Sequence, residues 1–424
     1  MASPTIEFSA SDILGRLESL ARFSAGVPGV TRLAYDPAWC DAHRWLAREA
    51  GSLGLSATAD WAGNLFFHNP AVAPGRLQDP VLLIGSHLDS VVQGGRYDGA
   101  YGTIAGLMIA AASRGRPGLP VVGFVTCEEE GSRFHGSMMG GRSLLGRVEY
   151  SELDEVADRD GVTWRQALAA ARARGCAASL SPPGPESLLL FRPAFQLELH
   201  IEQGPVLEAQ HLTLGIVERI AGYRHWIARL EGEPRHSGTT PMTMRRDTLA
   251  AAAEMILVAE SAAREAGEPA VATAGFVRPE PGLFNVVPGA CDLWLEVRHD
   301  RPEALEQLGA GVVRRCWEIA QRRGVRLALE EGAGQVPTAL SPALAEVAVR
   351  LAQELEIPHR RMPSGAAHDS MIFAQAGIPS LMVFVPSRAG VSHSPEEFTA
   401  EADLMAGVRF MAALSSRLAE HPPA

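Results

Sequence analysis

The chain has 424 residues, of which 46% are hydrophobic and 21% charged, and its formal net charge is -11. That length exceeds what one hydrophobic core usually serves, so two domains are expected. The acidic balance argues against a nucleic-acid binder, whose surface needs clustered Lys and Arg. Five scattered cysteines (Cys40, Cys127, Cys176, Cys291, Cys316) form no C-x-x-C pair, which points to reduced thiols in the cytoplasm rather than a disulfide framework. The first residues, MASPTIEFSASDILGRLESL, lack a basic start followed by an apolar run and do not read as a signal peptide. No stretch is apolar enough to predict a membrane span.

In chain order, PAWCDAHRWLAREAG predicts an amphipathic helix, PVLLIG a strand, GTIAGLMIAAAS a helix and LPVVGFVTCEEEG another buried strand. SPPGPES, Ser181 to Ser187, reads as a loop, and FQLELHIEQG as a strand ending in polar residues. Short apolar strands separated by helices indicate an α/β domain with a mainly parallel sheet covered on both faces. The rhythm then changes. YRHWIARLEG predicts a strand, PMTMRRDTLAAAAEMILVAESAAREAG a long helix, and AVATAGFV and CDLWLEVRHD two strands. PEALEQLGAGVVRRCWEIAQRRG follows as a second long helix and VRLALEE as a last strand. This βαββαβ order is the ferredoxin-like arrangement. The α/β pattern resumes with the helix SPALAEVAVRLAQELE and the strand PSLMVFVP. A small domain over residues 220–331 is thus expected to interrupt a larger one made of 1–219 and 332–424.

Ligands of open α/β sheets gather at the carboxyl ends of strands, and three strands here end in candidate metal ligands: His87, the Glu128–Glu130 run, and His200. Asp98 and His393 complete a set of the histidine nitrogens and carboxylate oxygens that hydrolytic metal sites use. Each has an ordinary alternative. A loop histidine can be solvated, the D-G of YDGAYG is a turn signal, and a glutamate run often marks an exposed face. The triplet resists that reading because it follows VVGFVTC directly. Carboxylates ~4 Å apart at an effective dielectric near 20 repel by about 4 kcal/mol, which a cation or proton must offset. One glutamate could then bind metal while a neighbour works as a general base.

HLDSVVQGGRYDGAYG, EEEGSRF, ELHIEQGPVLE, HSGTTPMTMRRD, NVVPG, GAAHDS and SHSPEEFT, in this order, resemble the N-carbamoyl-L-amino acid hydrolase and allantoate amidohydrolase family of the dimetal aminoacylase and carboxypeptidase superfamily. The resemblance covers nearly the whole chain. It implies two divalent ions per subunit, zinc or manganese, with cobalt or nickel possible on ligand grounds. His87, Asp98, Glu130, His200 and His393 match the ligands, with Asp98 as the bridge, and Asp89 matches the aspartate that orients the His87 imidazole. Glu129 matches the general base; the wider superfamily's E-E-x-G pattern would instead put base and ligand on Glu128 and Glu129. His368 in GAAHDS is the rival of His393 and reads as a wall of the site; Ala367 and Ser370 depart there from the family's GAGHDA, which leaves substrate preference open. Gln203, His236, Asn285 and Arg298 resemble substrate contacts, His236 reaching from a partner subunit to polarise the scissile carbonyl. Arg245 and Arg246 read as solvated or paired with Asp247, and Arg96 as solvated.

The resemblance further implies a homodimer formed through the small, lid-like domain, with no nucleic-acid or membrane partner. The expected substrate is small and carries a carboxylate and a ureido group. It would be an N-carbamoyl-L-amino acid, or alternatively allantoate; β-ureidopropionate, a dipeptide or an acyl-amino acid are further alternatives. A catalytically inert copy would be expected to have lost a ligand, and the set is complete.

Overall fold

A computed structural model describes residues 8–72, 74–75, 79–134, 136, 138–176 and 190–423; the SPPGPES loop lies outside them. The chain divides into two compact units. One comprises Met1–Glu218, Leu340–Met362 and His368–Ala424, the other Arg219–Ala339 and Pro363–Ala367.

The strands of the first part of the chain are β1 (Ser56–Ala59), β2 (Leu65–His68), β3 (Pro80–His87), β4 (Val121–Thr126), β5 (Arg192–Ile201) and β6 (Leu214–Ile220). Then come β7 (Gly222–Glu231), β8 (Arg235–His236), β9 (Val271–Glu280), β10 (Val286–Val287), β11 (Ala290–His299) and β12 (Arg326–Glu331). The last are β13 (Thr338–Ala339), β14 (His359–Ser364) and β15 (Ser380–Val385).

The large sheet runs β1-β2-β4-β3-β5-β15-β6-β13, with β14 also on β6. Only its centre is parallel: β3 pairs in parallel with β4 and β5, and β5 with β15. The pairs β1–β2, β2–β4, β15–β6 and β13–β6 are antiparallel. The expectation of a mainly parallel sheet is therefore corrected to a mixed one. The continuous apolar strands, buried on both faces, are those of the parallel centre, where helices cover the sheet. The helix Ala100–Ala112 is the innermost cover, buried throughout Ala100–Ala110, as an all-round apolar helix must be. Gly102 and Gly106 let it approach closely: a Cβ at either would strike the backbone of Leu199 or Ile84.

In the smaller unit the sheet order is β12-β7-β11-β9, all antiparallel. With helices Thr248–Ala266 and Pro302–Arg323, this is the βαββαβ arrangement. Alternate residues Cys291, Leu293, Leu295 and Val297 of β11 enter the core with Trp226, Ala228 and Leu230 of β7, as period-two patterning requires. One boundary moves. PMTMRRD is not the start of the long helix: Met242–Met244 form a separate 3-10 turn, and Asp247 caps Thr248–Ala266 by accepting from Ala250 N–H at 3.0 Å. Asp247 is thus occupied, and the arginines turn elsewhere. Arg245 donates to the carbonyls of Thr240 and Ser237, holding the turn after His236, and Arg246 pairs with Glu233.

Candidate active site

The parallel strands β3, β4 and β5 lie side by side, so their carboxyl ends share one edge of the sheet. His87 ends β3, the triplet Glu128–Glu130 follows β4, and His200 lies near the end of β5. Asp98 sits just ahead of the buried helix Ala100–Ala112, and His393 in the segment after β15. A Cβ at Gly99, whose φ is +61°, would fall into the His87 ring, so the D-G pair lets the chain pass directly beneath that imidazole.

Asp98 is buried and divides its two oxygens. Oδ1 lies 3.4 Å from His87 Nε2 and 3.1 Å from His200 Nε2, while Oδ2 lies 3.2 Å from His393 Nε2. His393 Nε2 is also 3.4 Å from Glu130 Oε2. Two donors each about 2.1 Å from one ion at the tetrahedral angle are about 3.4 Å apart, so these spacings suit two divalent ions with Asp98 between them. His87–Asp98–His200 form one group of ligand atoms and Asp98–Glu130–His393 a second.

The imidazoles are turned for this. His87 Nδ1 is 3.0 Å from the Asp89 carbonyl and His200 Nδ1 is 2.9 Å from the Ile201 carbonyl. Each Nδ1 must carry a proton to donate there, which leaves Nε2 of each neutral ring an acceptor beside Asp98, that of His200 also meeting Gly99 N–H at 3.3 Å. Lone pair against carboxylate is repulsive until a proton or cation lies between. Accordingly, although burial opposes a charge on His87, Glu129, Asp98 and Asp89 outweigh it and hold its pKa well above the ordinary value. Burial likewise opposes the charge of Asp98, but hydrogen bonds to the three histidines hold its pKa well below the usual range.

The glutamates separate by direction. Glu128, left-handed at φ 51°, accepts through Oε1 from Arg133 N–H at 3.0 Å and Phe134 N–H at 2.7 Å and so shapes its own loop. Glu129 and Glu130 each keep a buried Oε1 without a hydrogen-bond partner among the described residues, as does the second oxygen of Glu128. Neither Glu129 nor Glu130, however, has a carboxylate bound to its own loop in the way Glu128 does. Burial raises Glu129 well above the carboxylate range, against the pull of His87 and aided by Glu130; burial and then Asp98 push Glu130 to about 7. Asp89 keeps its carboxylate beside the imidazole, with Oδ1 4.0 Å from His87 Nδ1. Its main-chain carbonyl meets His87, while its carboxylate accepts from the N–H groups of Glu129 at 3.2 Å and Glu130 at 3.1 Å.

Gln203, also left-handed at φ 57°, donates to Asp98 Oδ2 at 2.8 Å and leaves Oε1 buried and unpartnered among the described residues. His368 is buried against His200 with ring centroids 4.6 Å apart, and burial followed by repulsion from His200 keeps its pKa well below the ordinary value. It lies nearest Glu198 and His200, apart from the group that contains His393. Glu198 is already engaged by the hydroxyls of Ser86 at 2.8 Å and Ser370 at 2.7 Å. Ser370, the departure from GAGHDA, thus holds a buried carboxylate. Sequence reasoning missed Glu198, although Gln196, Glu198 and His200 alternate along one face of a strand buried on both sides. It also missed Glu397, buried 4% exposed beneath Asp98. Arg96 is exposed, as expected.

His236, Asn285 and Arg298 belong to the smaller unit. His236 on β8 pairs with Val286 on β10, and Ser237 N–H donates to the Asn285 carbonyl, so these two candidates are neighbours. His236 Nδ1 accepts from Gly238 N–H at 3.1 Å, which puts the ring proton on the exposed Nε2. Arg298 lies at the opposite end of the sheet. It pairs in register with Tyr223, whereas the β8–β10 ribbon leaves from the Glu231–Ala290 end. Eight residues at about 3.4 Å each separate the ends by about 27 Å.

Residues 83–417 match the model of peptidase family M20/M25/M40. The chain belongs to this family. Among curated relatives it is 37% identical over 403 residues to an N-carbamoyl-L-amino-acid amidohydrolase of Paenarthrobacter aurescens, covering 94% of this chain and 95% of that one. It is 34% identical over 425 residues to an allantoate amidohydrolase of Bacillus subtilis, covering 96% and 98%. A solved amidase of the hydantoinase/carbamoylase family from Burkholderia multivorans superposes with a TM-score of 0.89 at 30% identity, over 99% of this chain and 100% of that one. The protein is a metal-dependent hydrolase of C–N bonds in amides other than peptides, as this branch of the M20 family is. No helix among the described residues is long and apolar enough to cross a membrane.

Proposed function

We propose that the protein hydrolyses the ureido C–N bond of an N-carbamoyl-L-amino acid, releasing the amino acid, carbon dioxide and ammonia. The observation that supports this is the divided Asp98 beside an unpartnered, buried Glu129, at 37% identity to a carbamoyl-amino-acid hydrolase. Allantoate is the second reading, favoured by the 34% identical relative. In both, His87, His200 and Asp98 would hold one divalent ion, and Asp98, Glu130 and His393 the other. Zinc and manganese both suit these donors. Two bound ions supply Lewis acidity and lower the pKa of water at the site. Glu129 takes the proton of the attacking water and returns it to the leaving nitrogen. Gln203 Oε1 accepts from the ureido group, His236 Nε2–H steadies the developing oxyanion, and Asn285 and Arg298 bind the carboxylate.

The separation of His236 from Arg298 within the small sheet supports a homodimer in which the small unit serves as lid and dimerisation domain. The sheet ends from which they project are about 27 Å apart along β11, longer than an amino-acid derivative, which favours a substrate held by His236 of one chain and Arg298 of another. Edge strand β9, with Val271, Phe276 and Val277 exposed, supplies an apolar edge that a second copy can cover. Mixing Glu129→Gln with His236→Ala subunits is expected to restore part of the activity; none after verified subunit exchange removes the shared-site reading. A cytoplasmic location fits the five free, buried thiols.

Substrate choice is tested by ammonia release from the manganese- or zinc-loaded enzyme over N-carbamoyl-L-amino acids, β-ureidopropionate and allantoate. Highest kcat/KM is expected on an N-carbamoyl-L-amino acid; turnover of allantoate alone transfers the assignment to the second reading.

A further inference from the structure

Glu397 is 4% exposed and none of the roles above uses it. Its Oε1 accepts from Tyr97 N–H at 2.8 Å and Asp98 N–H at 3.2 Å, contacts that span 300 and 299 residues of chain. Its Oε2 accepts from Ser392 Oγ at 2.9 Å, and Ser392 neighbours His393 and approaches Asp98 Oδ2 at 3.3 Å. The carboxylate fills the space above Gly95, where a Cβ would overlap it. His393 itself is left-handed at φ 54°, a conformation a non-glycine residue keeps only when its surroundings impose it. One buried side chain thus fastens the loop of Asp98 to the loop of His393. In the other group, His87 and His200 are fixed by strand pairing with Thr126 of β4 and Phe384 of β15 and by bonds to main-chain carbonyls, and they flank Asp98 Oδ1 from these fixed positions.

We infer that Glu397 is a positioning residue that assembles the Asp98–Glu130–His393 half of the metal centre, and that the His87–Asp98–His200 half forms without it. The inference rests on the two-ion reading above. It makes the two ions unequal in what holds their ligands together, so that one can be weakened while the other stays.

The test is calorimetric titration of metal-stripped protein with zinc and with manganese, with stoichiometry checked by elemental analysis. Wild type is expected to take up two ions. Glu397→Ala should retain one tight ion and bind the second at least about 10-fold more weakly, the usual effect of losing a residue that orients ligands. Glu397→Gln keeps an acceptor for the two amides and should restore most of that loss. Gly95→Ala, which displaces the carboxylate without removing it, should reproduce Glu397→Ala. Equal affinity for both ions in Glu397→Ala, or equal weakening of both, overturns the inference. Should that variant not fold, Gly95→Ala and Ser392→Ala carry the same test, and unaltered second-ion binding in both overturns it. A wild type that takes up no ion overturns the two-ion reading itself.

Discussion

Glu129→Gln is expected to lower kcat by about 1,000-fold or more while both ions remain bound. General acid–base groups contribute typically 10²–10⁴-fold, and here one group both takes and returns the proton. The amide nearly matches the carboxylate in volume, so the loop keeps its shape and Asp89 keeps its hold on the Glu129 and Glu130 N–H groups. The neighbours provide the control. Glu130→Gln should lose metal along with activity, because Glu130 faces His393. Glu128→Gln should act on loop stability rather than on chemistry, because Glu128 is bound to Arg133 and Phe134 N–H. Ammonia release read beside metal content separates the three. Wild-type-like turnover in Glu129→Gln, or a Glu128→Gln that keeps its metal and is dead, would move the base one residue back.

Stripped of metal, the protein is expected to lose stability as pH rises from about 4.5 to 9, and metal should restore it increasingly over the same range. The sign follows from which groups are raised. Glu130 and Asp369 sit at about 7, both mainly through burial, followed by repulsion from Asp98 and from Glu198. Glu128 sits at about 8 through burial and then Asp89, and His393 at about 9 through its hydrogen bond to Asp98. A group whose pKa is higher folded than unfolded holds its proton more tightly in the native state. Its stabilisation is complete below the unfolded value and is lost as pH climbs through the folded one. Each tenfold change in proton affinity is worth about 1.4 kcal/mol, so the buried carboxyls weigh against a typical 5–15 kcal/mol stability, while the half-exposed His393 counts for less because solvent screens it. Buried His43 and His368 have lowered values and the opposite sign, but they are already neutral in both states at the top of this window. Cations replace the missing protons. Thermal melts of stripped and reloaded protein should therefore diverge with pH, and parallel curves would contradict the assembled cluster.

Three of the candidate ligand positions are legible because an apolar strand leads up to each: PVLLIG before His87, VVGFVTC before the glutamates, FQLEL before His200. Asp98 and His393 lie outside strands and are legible only through the family resemblance. The inserted unit is legible for a similar reason, since its two long helices are bounded by runs of alternating pattern. The antiparallel flanks of the large sheet are not legible, because a short apolar run does not say which way its neighbour points. Directions inside the site are hidden too. The left-handed backbone at Glu128, Gln203 and His393 turns each side chain where no propensity would send it, so only coordinates distinguish Glu128 from Glu129. Glu397 was missed because SPEEFT looks like a solvated turn; its burial depends on a cavity that Gly95 leaves 302 positions earlier in the chain.

The position of β15 has a consequence for how the molecule is made. β15 inserts between β5 and β6, pairing with both, although β5 and β6 are separated by only a short connection and precede it by more than 150 residues of chain. During synthesis β5 and β6 emerge together and have to wait apart, with their facing edges open, until residue 385 has been made. Nearly all of the smaller unit, residues 219–339, is available earlier and can complete its own core while they wait. The nascent chain should thus pass through a stage with a finished insert and an unclosed main sheet, and chaperones would meet it there.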